Sequence, residues 1–178
     1  MNLDYSKINK ITINEPIKLD CGVTLDKFDI AYETFGELDE SKSNAILIFH
    51  ALSGDQFVTG TNKVTGRGGW WNFVVGPNLP IDTEKYFIIC ANVIGGCMGS
   101  SGPKEINPKT NKPYGLDFPV ITIKDMVSAQ VHLLDFLGIK KTLCVLGGSM
   151  GGMQALQFCS LYPDRTFSAV PIACAASH

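Results

Sequence analysis

The chain is predicted to fold as an α/β protein with a mostly parallel sheet and helices on both faces. Three observations predict this. Short, continuously apolar runs recur, AILIF at 45–49 and YFIICANV at 86–93 among them. Two stretches with helical spacing lie later, at 122–139 and 150–163. From position 45 onward the order is strand, loop, strand, helix, strand, helix, strand. Runs buried on both faces belong to central strands, and alternation with helices favours parallel pairing. The 178 residues, 45% of them hydrophobic, suffice for one core, so a single domain over 1–178 is expected.

Taken in order, KITINEPIKLD (10–20) and KFDIAYETFGEL (27–38) alternate apolar and polar residues, with CGV between them. They read as an antiparallel opening hairpin. SKSN (41–44) breaks the pattern before the buried strand AILIF. Residues 51–85 are loop-rich, with one short helix expected near WWNFVVG. A loop of that length in a compact domain points to function. After the strand YFIICANV comes a second long loop, 94–119. In 122–139 the residues Met126, Val127, Val131, Leu134, Leu137 and Ile139 share helical spacing, and Gly138 is a stop signal. TLCVLG (142–147) is a strand, 150–163 a helix ended by Pro163, and TFSAVPIACA (166–175) the last strand.

Several function classes find no support. The formal net charge is -2 and the basic residues are scattered, without the stripe that nucleic acid requires. The apolar runs are too short to span a bilayer, and the polar start MNLDYSKINK lacks a signal core, so a cytoplasmic location is expected. The six cysteines form no CxxC pair, which favours small buried hydrophobes over disulfides or a metal site. Cys97, in a glycine-rich loop, stands apart.

Between the strand TLCVL and the helix MQALQFCSLY lies GGSMGG (147–152), which contains Gly147-x-Ser149-x-Gly151. A strand entering and a helix leaving make this a nucleophile elbow, the feature that marks an α/β-hydrolase fold. The glycines two places from the serine let strand and helix approach closely, and Gly148 and Gly152 are expected to loosen the turn further. Ser149 is the candidate nucleophile. Its acyl intermediate needs two backbone donors: one from Met150, after the serine, and one from the loop that begins FHALSGD (49–55), where Leu52 is the candidate. A phosphate-cradling turn is the competing reading, but the motif follows a late strand and lacks a P-loop lysine.

HALSGDQ (50–56), GWWNFVVGPNLPIDTEKYFIICANVIGGCMGSSGP (69–103) and VLGGSMGGMQALQF (145–158) resemble the homoserine O-acetyltransferase family of the α/β-hydrolase superfamily. The resemblance runs from about Ile17 to the C-terminus. It implies acetyl transfer from acetyl-CoA, a co-substrate and not a bound cofactor, to the hydroxyl of L-homoserine through an acetyl-Ser149, in methionine biosynthesis. Leu52 and Met150 then supply the oxyanion N–H groups, no metal takes part, and the complete enzyme is a homodimer. Relatives that use succinyl-CoA, or serine as acceptor, share much of the pattern, and the GGCMGSSGP loop resembles the acetyl type. A simple esterase and a non-catalytic remnant are the alternatives.

Serine needs a base oriented by a carboxylate, in the order Ser, acid, His. After Ser149 the chain offers Asp164 and His178 alone, and neither matches the loops from which the family draws these groups. His50 reads as structural and His132 as a surface or packed helix residue. Arg67 lies near the loops without an assigned role. The expectation is an N-terminal part of the fold that lacks its acid and base and turns over poorly alone.

Overall fold

The computed structural model describes residues 4–107 and 109–176. The N-terminal region holds β1 (Lys10–Ile13), β2 (Ile17–Lys18), β3 (Thr24–Leu25) and β4 (Phe28–Phe35). β1 pairs antiparallel with β4, Lys10 opposite Ala31 and Ile13 opposite Phe28, which is the expected hairpin. Its connection carries a smaller hairpin, β2 against β3. The run 10–20 therefore splits between Ile13 and Ile17, where Pro16 offers no N–H to a ladder.

β5 (Ala45–Phe49) is buried along its whole length. β6 (Val75–Gly76) and β7 (Ile81–Asp82) form a short pair within the following loop, and β8 (Phe87–Ala91) returns to the main sheet. β9 (Ile106–Asn107) and β10 (Lys112–Pro113) form a hairpin in the second long loop. Then come α1 (Ile123–Phe136), β11 (Thr142–Gly148), α2 (Met150–Leu161) and β12 (Thr166–Ile172). The main sheet has the order β1-β4-β8-β5-β11-β12. β8, β5, β11 and β12 run parallel, while β4 is antiparallel to β8.

Helix α1 begins where its sequence says it should. The Thr122 side chain accepts from Asp125 N–H, and the Asp125 carboxylate accepts from Thr122 N–H in return. It ends in a Schellman turn: Gly138, at φ 69, donates to Asp135 O and Ile139 N–H reaches Leu134 O at 2.8 Å.

Two apolar layers flank the sheet. Leu47, Phe49, Ile89 and Val145 point to one side and meet Val131 and Leu134 of α1 and Ala155 and Phe158 of α2. Ile46, Ile48, Ile88, Cys90 and Leu146 point to the other and meet Val58, Trp70, Trp71 and Val75. The expected placement of helices on both faces is thus corrected: among the described residues both α-helices share one face, and the long loop after β5 covers the other. The topology explains it. From β5 the chain steps to β8 in one direction, whereas β8 to β11 and β11 to β12 step in the opposite one. Right-handed crossovers made in opposite directions lie on opposite faces. The helix expected near WWNFVVG is absent as well. Val74 and Val75 N–H both reach Trp71 O, one turn that Gly76, Pro77 and Asn78 stop. Its apolar residues serve the second core layer instead.

Candidate active site

β5 lies where the strand order reverses, so the crevice of the sheet opens at its C-terminal end. There β5 runs into His50, β8 into Asn92 and β11 into Ser149. Ser149 adopts φ 55 and ψ −121, a conformation that costs a non-glycine residue about 1–3 kcal/mol. Ser149 N–H donates to Ile172 O at 3.0 Å, and its carbonyl accepts from Met153 N–H, the first bond of α2. The turn is possible because its neighbours are bare. A Cβ on Gly147 would stand 2.5 Å from Phe49 O, and one on Gly151 would collide with the same carbonyl. Gly152 packs on Cys174, whereas Gly148 faces open space, so only the former is required by close approach. The side chain of Ser149 is exposed.

Leu52 and Met150 line a cleft of about 380 Å³ together with His50, Asn92, Cys97 and Ile121. Ser149 immediately precedes Met150 in the chain and is not itself among the lining residues. Leu52 is 82% exposed, so its side chain is no core residue. Among the described residues neither Leu52 N–H nor Met150 N–H has a hydrogen-bond acceptor. Met150 is the first residue of α2, where unpaired N–H groups and the helix dipole favour negative charge. A larger hollow of about 620 Å³ lies between Lys42, Lys140 and Phe167, at the opposite ends of the strands and away from the serine.

His50 is 2% exposed. Its Nδ1 lies 2.7 Å from Ala51 O, and its Nε2 faces Val93 N–H and Asn92 Nδ2, each at 3.3 Å. Burial holds its pKa below the ordinary imidazole value, against the opposing pull of the Ala51 carbonyl and Asp55. The ring is neutral with both nitrogens engaged, which suits a structural group and not a general base. His132 stacks edge-on against Phe28 and lies 3.4 Å from Glu15, away from the cleft. Asp164 sits in the turn before β12, at the strand ends remote from Ser149. His178 lies outside the described residues. Arg67 is exposed, and its carbonyl accepts from Asn62 N–H.

Two supporting residues escape a reading of the sequence. Asn92 Oδ1 accepts from Met98 N–H, and its carbonyl accepts from the Ser100 hydroxyl at 2.5 Å, which folds the glycine-rich loop back onto β8. Gln154, fully buried, accepts from Gln130 Nε2 at 2.9 Å and turns its own Nε2 towards His50 O. Their one signal in the sequence is a polar residue where the period demands an apolar one. Cys97 is exposed at the cleft mouth, and the other exposed cysteine is Cys21. None of the helices described is long and apolar enough to cross a membrane.

A family model of the alpha/beta hydrolase fold matches residues 44–172. The chain is 61% identical over 178 residues to a homoserine O-acetyltransferase of Pelagibacter ubique, covering all of this chain and 48% of that protein. Its fold superposes with a TM-score of 0.83 on a homoserine O-acetyltransferase from Bacillus anthracis, at 34% identity, over 92% of this chain and 45% of the other. An acetylester hydrolase from Corynebacterium glutamicum gives 0.78 at 31% identity, over 98% and 46%. The chain thus spans about half the length of the relatives it matches. With the elbow, the switch-point cleft and the match over 44–172 in agreement, the chain belongs to the alpha/beta hydrolase fold family.

Proposed function

We propose that the chain carries the nucleophile of a homoserine O-acetyltransferase. Ser149 Oγ attacks the thioester carbonyl of acetyl-CoA, and the carbonyl oxygen takes up negative charge that Leu52 and Met150 N–H receive. The base that took the serine proton passes it to the departing CoA sulfur, which leaves acetyl on Ser149; the base then takes the proton of the L-homoserine hydroxyl as that oxygen accepts the acetyl group, and returns it to the serine. Each step exchanges one acyl bond for another, so the chemistry needs no redox partner. The observation that supports this reading best is the strained, exposed Ser149 directly before Met150, a residue that lines one cleft together with Leu52. The substrates rest on the 61% identity to a protein of that name. The base and its orienting carboxylate come from later loops of the longer fold, as the order Ser, acid, His requires. The same reading places the complete enzyme in methionine biosynthesis, in the cytoplasm, as a homodimer.

The test joins residues 1–178 to the remaining part of the Pelagibacter ubique relative and follows CoA release and acetyl-homoserine. Acetylation of homoserine that vanishes in Ser149→Ala is expected. Persistence of the activity in that variant would remove Ser149 from the mechanism. Residues 1–178 alone are expected to show slow acetylation of Ser149 without turnover, and ordinary turnover by them would contradict the need for later groups. A second reading, an ester hydrolase, is favoured by the likeness to the Corynebacterium glutamicum acetylester hydrolase. Rapid cleavage of a simple acetyl ester with no acetyl-homoserine would select it.

A further inference from the structure

We infer that His50 is a positioning residue for the oxyanion site: its Nδ1–H holds the Ala51 carbonyl and so turns the N–H of the same peptide, that of Leu52, towards the cleft. The inference rests on the acyl-transfer reading of Ser149 and adds to it a residue that acts through the peptide carrying Leu52 N–H.

Ala51 O accepts from Gly54 N–H at 2.9 Å and lies 2.7 Å from His50 Nδ1. No cis peptide occurs among the described residues, and in a planar trans peptide the C=O and N–H point in opposite directions. A carbonyl pinned on one side therefore aims Leu52 N–H to the other. That N–H has no acceptor among the described residues, and Leu52 lines the cleft with Met150.

Next comes the ring. Nε2 faces two donors, Val93 N–H and the Asn92 amide nitrogen. The orientation of Asn92 is set because its Oδ1 accepts from Met98 N–H at 3.1 Å. A proton on Nε2 would confront both donors, so the single ring proton sits on Nδ1, the atom that faces the Ala51 carbonyl. On the other side of the residue, Gln154 Nε2 approaches His50 O at 3.4 Å and ties the start of the loop to α2. Without the Nδ1–H, the 51–52 peptide loses one of its two restraints. Its flipped form would present a carbonyl oxygen where the substrate's oxygen becomes negative.

A buried histidine that merely joins two loops predicts something different, and substitution separates the two. Asparagine keeps a donor near the position of Nδ1, whereas glutamine reaches the position of Nε2 and leaves the Ala51 carbonyl without its partner. Acetylation of Ser149 by p-nitrophenyl acetate is followed by p-nitrophenolate release and intact mass, with thermal unfolding measured alongside. His50→Asn is expected to label close to the wild-type rate. His50→Gln is expected to stay folded and label about 100-fold more slowly, the loss that follows removal of one oxyanion donor. Nitrogen-15 spectra of the unaltered chain are expected to report the neutral Nδ1–H tautomer. An Nε2–H tautomer, or equal labelling in a folded His50→Gln, overturns the inference. The tautomer is read without mutation, so a variant that fails to fold leaves the inference exposed to refutation. If Ser149→Ala is labelled as readily as wild type, the acyl-transfer reading fails instead, whatever His50 does.

Discussion

Gly148 and Gly151 stand three residues apart in one glycine-rich run, yet their surroundings differ. A methyl on Gly151 meets the Phe49 carbonyl, part of a central strand that cannot retreat, whereas Gly148 has nothing within 4 Å. Gly151→Ala is therefore expected to lower the unfolding temperature and abolish labelling of Ser149, while Gly148→Ala leaves both near wild type. Comparable losses in the two would show that the close approach of α2 to β5 is not what the motif serves. His50 yields a second expectation at this scale. Its folded-state pKa lies below the ordinary value of 6.5, so the unfolded chain binds the proton first as pH falls. Its contribution is fully present above that value and declines below it, towards the lower folded pKa. Denaturant unfolding at pH 7.5 and 5.5, compared with His50→Asn, is expected to show wild type losing more stability than the variant on acidification; equal losses would contradict it. The elbow serine and its flanking glycines were legible as a string. The tautomer of His50 was not, because it depends on Asn92 and Met98, more than forty positions away.

At the scale of elements, the helices announce their own limits. Thr122 and Asp125 mark the start of α1, and Gly138 its end, because caps answer local shortages of hydrogen-bond partners. Gly138 sits at φ 69, where an added Cβ also crowds the Lys42 ammonium. Gly138→Ala is expected to cost about 1–2 kcal/mol, the price of a left-handed conformation for a residue with a Cβ. Chemical denaturation checks this, and an unchanged midpoint would mean that the Schellman turn gives way at no cost. The short helix expected near WWNFVVG gives way to one turn around Trp70 and Trp71. Those residues contact Val58, Ile88 and Leu146 across the sheet, and a single turn suffices to deliver them.

For the whole molecule, the arrangement of strands decides which surfaces are covered. β12 occupies the edge of the sheet, with Phe167 77%, Val170 47% and Ile172 40% exposed. A strand of such apolar composition, at the sheet edge among the described residues, invites pairing with other chains. Val170→Lys is expected to reduce concentration-dependent association of residues 1–178, read by light scattering, with little change in the unfolding midpoint. Association that persists unchanged would place the contact elsewhere.

Local pattern alone was enough for the parallel strands, the stop of α1 at Gly138, the elbow at Ser149 and the two long loops, since each depends on neighbours within a few positions or on a simple period. Only the three-dimensional arrangement shows that both helices share one face and that His50, Asn92 and Gln154 hold the loop after β5. Crossover direction, peptide orientation and the pairing of buried polar groups are set by partners far along the chain, and no local pattern records which residues those partners are.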